Sequence, residues 1–222
     1  MIKDFPELRE LSLNCRSIDT HERADFAKLC KLEKLVLRGP AVYQFPKVPE
    51  SLVHLDIRVD NLNMYAAEVK ALPSVLETLG LPENYTIDNT ILLSLLSATT
   101  SLRSLDVCGC PRINTHSMEW FLDAGHGDSL EHLSLAGNPT FSDEVTRELG
   151  RLKKLKRLDI SNTRISGIGI ANLVYREGSQ LGWLGLDNCI NVGRDAIDAA
   201  KAVGVSVSHR MDEYFGGRRV RY

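Results

Sequence analysis

A nine-residue stretch at 130–138, LEHLSLAGN, shows the frame that organises the whole chain. Leucine stands at its first, fourth and sixth positions, and Asn138 stands at its ninth. The same L-x-x-L-x-(L/I/V) frame begins at Leu8, Leu32, Leu52, Leu76, Leu102, Leu130, Leu155 and Leu181. The intervals between these leucines are 20 to 28 residues, which is too regular for chance, so we predict one solenoid of stacked units.

The frame also predicts the side of the sheet on which each side chain lies. Because side chains alternate along a strand, positions four and six of each unit point into the core, while positions three, five and seven point to one open face. Units of about 25 residues with this frame are typical of leucine-rich repeats. We therefore predict an α/β fold, a leucine-rich-repeat solenoid shaped as a horseshoe, with a parallel β-sheet on the concave face and mostly helices on the convex face.

The repeats also predict the domain boundaries. Residues 205–209, VSVSH, alternate like a strand and would close the sheet as a ninth strand after eight repeats. One leucine-rich-repeat domain would then span 1–210, followed by a basic C-terminal tail at 211–222. The first unit begins at Leu8 without a polar capping repeat, so we expect further sequence upstream.

The segments between the strands differ in their helix potential. Apolar spacing and capping residues predict helices at 20–31, at 62–72 and from about Asp88, and two more capped by Thr115 and Ser142. The segment 40–51 carries Pro40, Pro46 and Pro49, which oppose a helix, so its return should be extended. Trp120 falls within a predicted helix, and we expect it in the core.

Composition argues against several classes of partner and compartment. The net charge is −2 with 25% charged residues, so no global field attracts nucleic acid or a membrane. No apolar run approaches the ~18 residues of a membrane span. The five cysteines form no C-x-x-C pair and their number is odd, which favours a reducing compartment, so we expect an intracellular protein of the nucleus, the cytoplasm or both.

Two units carry cysteine at the ninth position. The sequences LRSLDVCGCPRIN and LGWLGLDNCINV, with Cys110 and Cys189, resemble the cysteine-containing repeat L-x-x-L-x-L-x-x-C-x-x-(I/V) of the F-box and leucine-rich-repeat proteins. Asn138 and Thr163 are variants at the same position. The second return and residues 188–211 are similar to fungal F-box members, some of which act on the replisome.

The resemblance implies a function that the frame alone does not. F-box proteins of this kind are substrate receptors of cullin-type (SCF) ubiquitin ligases. The chain would then be a non-catalytic recognition domain that binds a protein substrate on its concave face. It would reach the SCF adaptor and the cullin through an upstream F-box that is not in this chain.

Motifs for catalysis, cofactors and metals were sought in the sequence. The chain has no Gly-rich phosphate loop and no nucleophile elbow, and we expect no catalytic residue and no cofactor. Cys108, Cys110 and His116 lack further ligands at metal-binding spacing, so we expect no metal site either. Cys108 stands at the outward seventh position, where it could be a mildly reactive thiol.

The first candidate partner site is basic. Its residues lie at outward positions of adjacent strands about 4.8 Å apart, and they are Lys34, Arg38, His54 and Arg58. An acidic segment or a phosphate could dock there through charge-assisted hydrogen bonds. The alternative is a solvated face that Asp56 and Asp60 partly neutralise.

The second candidate partner site surrounds an outward tryptophan. It consists of Trp183 with Arg157, Asp159 and Asp187. Trp and Arg are enriched at interface hot spots, which favours a partner contact. The alternative is that the tail folds back and places Tyr214 or Phe215 on the indole.

Two further interpretations of the sequence stay open. The tail holds Arg218, Arg219 and Arg221 without an aromatic platform, which indicates nucleic-acid binding only weakly. A scaffold or GTPase-regulating repeat protein, unrelated to ubiquitylation, would share the same horseshoe.

Overall fold

The computed structural model describes residues 5–14, 24–39, 44–59, 62, 72–211, 213–215 and 218–220. The main sheet consists of β1 (Glu10–Asn14), β2 (Lys34–Arg38), β3 (His54–Arg58), β4 (Thr78–Gly80), β5 (Ser104–Asp106), β6 (His132–Ser134), β7 (Arg157–Asp159), β8 (Trp183–Gly185) and β9 (Ser206–Ser208). The helices are α1 (Asn89–Leu96), α2 (Thr115–Asp123), α3 (Asp143–Leu149), α4 (Gly167–Val174) and α5 (Arg194–Ala202). The nine strands pair in chain order and in parallel, which is the predicted leucine-rich-repeat α/β solenoid, and the sheet is open at both edges.

The frame leucines form the core of the sheet. The fourth-position residues are direct register partners from strand to strand, as Leu35 with Leu55 and Leu158 with Leu184. These four side chains are fully buried, at 0% exposure. The prediction that positions four and six point inward is therefore confirmed, and the ninth strand places Val207 opposite Leu184 as expected.

Side-chain caps start three of the five described helices, α1, α2 and α4. Asp88 caps α1 by accepting the N–H of Ile91 at 3.0 Å, which confirms the predicted start. The prediction that Thr115 caps α2 is wrong by one residue. Asn114 is extended and accepts the N–H of His116, so Thr115 is the first residue of the helix.

Ser142 occupies the predicted N-cap position of α3, but its side chain makes no capping hydrogen bond. The carboxylate of the next residue, Asp143, instead accepts hydrogen bonds from the following repeat. Asp143 accepts the N–H of Ser166 at 2.7 Å and its hydroxyl at 2.6 Å, and Ser166 is the N-cap of α4. Consecutive helices are thereby coupled through their first turns.

The first returns are not helical where they are described. The predicted helix at 20–31 is wrong over 24–31, which is extended and then turns. Phe26 donates its N–H to Lys47 at 2.8 Å, and Lys47 donates to Ala24 at 2.9 Å, so these backbone groups bond to the neighbouring return rather than within a helix. The extended return predicted for the Pro-rich segment is confirmed over 44–51, and the helix predicted at 62–72 falls almost wholly outside the described residues.

The turn after most of the described strands has the same backbone conformation at position eight. Gly109 and Asn162 have left-handed φ values of +66° and +54°. Their N–H groups donate to the seventh-position carbonyls of the following repeats, Ala136 and Asp187, at 2.7 Å in both cases. This row of hydrogen bonds continues the sheet pairing beyond the end of each strand.

The ninth-position residue is buried behind this turn. Cys110 and Cys189 are fully buried, with their sulfurs 3.2 Å from the carbonyl of Leu81 and 3.1 Å from that of Ile160. Asn138 performs the same function by donating to the carbonyls of Val107 and Leu135. The ninth position therefore joins consecutive repeats whether it holds cysteine or asparagine.

Two regions of the surface complete the fold. The prediction that Trp120 lies in the core is wrong, because its side chain is 53% exposed on α2 while Met118 and Phe121 fill the inner face.

In the tail, β10 (Glu213–Phe215) and β11 (Arg218–Val220) pair antiparallel in a separate two-stranded sheet, and the domain boundary at residue 210 stays a prediction. No helix in the described part of the chain is both long and apolar enough to span a membrane.

Candidate partner-binding site

The concave face presents a regular grid of side chains. Consecutive strands are in direct register, so each outward position forms a row across the sheet, with neighbours about 4.8 Å apart. Two depressions lie on this grid. The first, here called the basic groove, has a volume of about 500 Å³ and is lined by Glu10, Glu33, Lys34, Leu35, Val36, Arg38, His54, Leu55, Asp56 and Thr78.

The structure brings three of the four predicted basic residues to this groove. Lys34 and His54 are register partners on β2 and β3, and Arg38 stands at the end of β2 opposite Arg58. Arg58 itself does not line the groove. Its guanidinium turns instead toward the middle of the sheet.

Neighbouring acids neutralise part of the basic group. Lys34 Nζ lies 3.2 Å from a Glu10 carboxylate oxygen, and Arg58 Nε lies 3.2 Å from Asp56 Oδ1. The ring of His54 contacts the Thr78 hydroxyl at 3.0 Å. Arg38 is exposed and, among the described residues, its side chain makes neither a hydrogen bond nor an ion pair. Arg38 is thus the cation in this groove that is open to a partner.

Arg58 crosses the sheet over a glycine. Its Nη2 lies 3.9 Å from Asp106 Oδ2 on β5, although β4 runs between the two strands. Gly80 of β4 lies between them and has no side chain to obstruct the guanidinium. A Cβ there would come within 3.0 Å of Asp56 Oδ1. The glycine therefore allows one cation to contact carboxylates two strands apart.

The second depression, here called the tryptophan groove, surrounds the second predicted group. Its volume is about 300 Å³, and it is lined by Ser104, Leu105, Asp106, His132, Leu133, Ser134, Arg157, Asp159 and Trp183. The guanidinium carbon of Arg157 lies 4.4 Å from the centre of the Trp183 ring, a cation–π contact. The structure thus brings Arg157, Asp159 and Trp183 together as predicted.

Backbone hydrogen bonds hold the carboxylates of this groove. Asp106 Oδ1 accepts the N–H of Cys108 at 3.1 Å, and Asp159 Oδ1 accepts the N–H of Ser161 at 3.0 Å. Gly185 lies beside Asp159, where a Cβ would come within 2.5 Å of Oδ1. Each carboxylate is therefore fixed at one oxygen; the other oxygen of Asp106 lies 3.9 Å from Arg58 Nη2, whereas that of Asp159 can contact a partner.

The fourth residue of the second group serves a different purpose. Asp187 Oδ1 accepts the hydroxyl of Ser208 at 3.0 Å and the N–H of Arg210 at 2.9 Å. These bonds tie the edge strand β9 to its neighbour, and Asp187 does not line the tryptophan groove. The alternative in which the tail covers Trp183 concerns the side chains of Tyr214 and Phe215, which lie outside those described.

Asp106 and His132 are residues of the site that were not predicted from the sequence. Both line the tryptophan groove. Asp106 shares the fifth position with Asp56 and Asp159, on every second strand, so the position-five row was the signal that could have identified it.

The surroundings of Cys108 and the placement of the metal-binding residue types test two further hypotheses, a reactive thiol and a metal site. The pKa of Cys108 is raised to about 11, first by burial and then by the carboxylates of Asp106, Glu83 and Asp159, against the opposing effect of Arg58. The expectation of a reactive thiol is therefore wrong at neutral pH. Within the described ranges, no three His, Cys, Asp or Glu residues are gathered so that they could hold a metal ion.

Comparison with known proteins agrees with the fold. The family model described as Leucine Rich Repeat matches residues 154–174, which contain β7 and α4. Over 157 residues the chain is 25% identical to Protein NLRC5 of Mus musculus, covering 71% of this chain. The chain spans only 8% of the length of that relative. The F-box and fungal resemblances stay hypotheses, because the matched model describes the general repeat and the matched relative is a mouse protein. The repeat match and the nine-stranded parallel sheet make the chain a leucine-rich-repeat solenoid, a fold that generally serves as a protein-interaction module.

Proposed function

We propose that the concave face of this solenoid binds a protein partner. The observation that carries the proposal is the Arg157–Trp183 pair, which lies on the open face and lines the tryptophan groove. Trp and Arg are the residue types that most often dominate binding energy at protein interfaces. A ring already held by a neighbouring guanidinium also loses little conformational entropy on binding.

The sheet favours this face over the convex one for a physical reason. The concave side chains stand on strands in direct register, with their inward neighbours fully buried, so their positions are set by the core. A partner that contacts several strands then meets a preorganised surface. By contrast, Trp120, a tryptophan of the convex side, stands on the outer face of α2 and is exposed.

We further propose the narrower function of substrate recognition for an SCF-type ubiquitin ligase. The support is the buried ninth-position cysteine in two repeats, Cys110 and Cys189, which resembles the repeat of F-box proteins. In that function the partner on the concave face is the substrate, and the adaptor and cullin bind an F-box outside this chain. The competing proposal is a scaffold or GTPase-regulating repeat protein.

The same proposal includes the cellular compartment of the protein. Cys30, Cys108, Cys110 and Cys189 are free thiols, which supports a reducing compartment, the nucleus or the cytoplasm. A fluorescent fusion imaged in the source cells tests this placement. A secreted or lumenal fusion would contradict it.

Site-specific photo-cross-linking tests the binding face. A photoreactive amino acid is placed at Ser104 on the concave face and, as the matched control, at the exposed Asp198 on convex α5. We expect Ser104 to cross-link a partner protein in cells, and we expect Trp183→Ala to remove that adduct. Adducts formed only from position 198 would overturn the proposal.

The proposed ligase function is tested by a separate measurement, the composition of the purified complexes and the level of the partner in cells. Complexes purified through the cross-linked partner should contain an SCF adaptor and a cullin, and the partner should accumulate when the chain is depleted. A partner that binds the concave face, without ligase subunits and with an unchanged lifetime, would contradict the ligase function. Concave binding would then stand alone.

A further inference from the structure

Both grooves of the concave face are lined by acidic and basic side chains, and they differ in which charged group stands open to a partner. In the basic groove, Arg38 is exposed and without an ion pair in the described part of the chain. In the tryptophan groove, Asp106 and Asp159 present carboxylates. Gly80 on the intervening β4 is buried and has no side chain, so the space above it, between the grooves, is left to the Arg58 guanidinium.

Arg58 shows how this sheet holds a cation. Its guanidinium lies over Gly80 and contacts Asp56 on one side, at 3.2 Å, and Asp106 on the other, at 3.9 Å. The two carboxylates are two strands apart, at the same fifth position. A small residue between two aspartates is thus sufficient to seat one guanidinium.

The next interval of the sheet repeats this arrangement. Asp106 and Asp159 are also two strands apart at the fifth position, and the small residue between them is Ser134 on β6. Of the charged side chains that the structure describes, none forms an ion pair with Asp159. The nearby Arg157 directs its guanidinium onto the Trp183 ring instead. The second interval therefore lacks the cation that the first one has.

We infer that the partner contacts this face with a single extended segment that carries an acidic side chain to Arg38 and a Lys or Arg side chain to the interval between Asp106 and Asp159. The inference rests on the proposed concave binding and names its chemistry. From β2 to β6 the segment crosses four strand spacings of about 4.8 Å, or roughly 19 Å. An extended chain covers that distance in about six residues, at about 3.3 Å per residue.

The polarity of the face then sets the orientation of the segment. The acidic residue lies toward the first strands and the basic residue toward the last strands, and reversal of the segment would bring like charges together. Like-charge contacts oppose binding, so the arrangement selects one direction. Trp183, at the far end of the tryptophan groove, would pack against the aliphatic stem of the basic residue.

A display library of random twelve-residue peptides tests the inference on the full chain. We expect the selected peptides to carry Asp or Glu and Lys or Arg about five to seven residues apart, in one order. The double variant Asp106→Asn with Asp159→Asn should lose the preference for the basic residue and keep that for the acidic one. Arg38→Gln should do the reverse.

The variants are chosen so that the fold is kept. Asparagine retains the side-chain oxygen that accepts the N–H of Cys108 or Ser161, so the strand ends stay bonded. The matched control neutralises two exposed acids outside the concave strands, Asp128→Asn in the turn before β6 and Asp198→Asn on α5. Circular dichroism and urea unfolding are the measurements that check whether each variant is folded.

Fluorescence anisotropy with the consensus peptide gives the magnitude. We expect the concave double variant to weaken binding about tenfold or more, since charge-assisted hydrogen bonds contribute more than neutral ones. The matched control should change affinity less than about twofold. Reversal of the peptide sequence should weaken binding to a similar extent as the double variant.

The outcomes separate this inference from the proposed function. Selected peptides that require Trp183 but show no paired charges would overturn the inference and leave concave binding intact. Peptides that bind equally well after Trp183→Ala and after every concave charge change would overturn both. A library that yields no binder would overturn the inference, because it commits to a linear segment.

Discussion

Arg157 and Trp183 are register partners on β7 and β8, and the guanidinium carbon of one lies 4.4 Å from the ring centre of the other. The sheet itself sets this contact, because both side chains project from the third position of consecutive repeats. Arg157 is exposed and Trp183 is half-buried, so the pair keeps an open aromatic surface in one conformation. That combination is what an interface anchor requires.

Substitution of the tryptophan should separate binding from stability. We expect Trp183→Ala to weaken binding of the cross-linked partner, or of the selected peptide, about tenfold or more, as for an interface hot spot. The free energy of unfolding should fall by only about 1 kcal/mol, since an exposed cation–π contact contributes about 0.5–1 kcal/mol. Calorimetric titration and urea unfolding measure the two effects.

The matched control for this prediction is the other tryptophan. Trp120 is exposed on the convex helix α2, so Trp120→Ala should leave partner binding unchanged. If Trp183→Ala instead lowers the melting temperature strongly and does not alter binding, the indole has only a packing role.

The left-handed turn at position eight makes a second prediction. Gly109→Ala should lower the free energy of unfolding by about 1–2 kcal/mol from backbone strain alone, because its φ is +66°. A Cβ there would also lie 3.2 Å from the Cα of Glu83 in the preceding repeat, which adds a steric cost. Urea unfolding measures the total.

Gly125 provides the comparison for the steric cost. Its φ is +79°, but nothing lies within 4 Å of the position that a Cβ would take. Gly125→Ala should therefore be destabilising through backbone strain only, and less than Gly109→Ala. Equal losses in the two variants would show that the contact with Glu83 has no energetic effect.

The periodic part of the fold was predictable because it depends on one repeated relationship. Leu35 and Leu55 share the fourth position, which is buried in every repeat from the second to the eighth, and this shared burial keeps the strands in register. The helix expected at 20–31 failed for the opposite reason. Its apolar residues suit a helix, but Phe26 donates its backbone N–H to Lys47 of the next return and Lys47 donates to Ala24, a tertiary contact that local propensity does not contain.

The candidate site was predictable only in part. Outward positions follow from strand alternation, so Lys34, Arg38 and Trp183 were correctly placed on one face. The position of Arg58 depends on the missing side chain of Gly80 and on a carboxylate two strands away, which no local pattern reports. The wrong prediction that Trp120 lies in the core was avoidable. Trp120 lies about 200° around the helix from Met118, which puts it opposite the buried face.

The chemistry of Cys108 makes a third prediction. Burial raises its pKa to about 11, so the thiol stays protonated at neutral pH. Iodoacetamide at pH 7.5 should therefore modify Cys108 far more slowly than the exposed Cys30, and its rate should rise as the pH approaches 11. Mass spectrometry of the digested protein measures both sites.

The same shift makes stability depend on pH. The folded state keeps the Cys108 proton up to about pH 11, whereas the unfolded chain releases it near the ordinary value of 9.0. The unfolded state thus binds fewer protons above pH 9, so the free energy of unfolding should fall as the pH rises from 9 toward 11. Asp106→Asn should lower the pKa of Cys108 and speed its alkylation, whereas Asp128→Asn should not. No difference between these variants would contradict the assigned role of Asp106.

Arg176 makes the last prediction, because it joins two repeats at the end of a helix. It is half-buried, and its guanidinium donates to the carbonyls of Leu149 and Leu152, at 3.2 and 3.3 Å, and to that of Gly150. Arg176→Met keeps much of the aliphatic stem but leaves these helix-end carbonyls without their donors, so the free energy of unfolding should fall by about 1–3 kcal/mol. The control is Arg151→Met, which removes only exposed ion pairs with Asp123 and Glu148 and should have little effect. Thermal and urea unfolding of both variants measure the difference, and an equal loss in the two would show that the carbonyl contacts of Arg176 do not stabilise the solenoid.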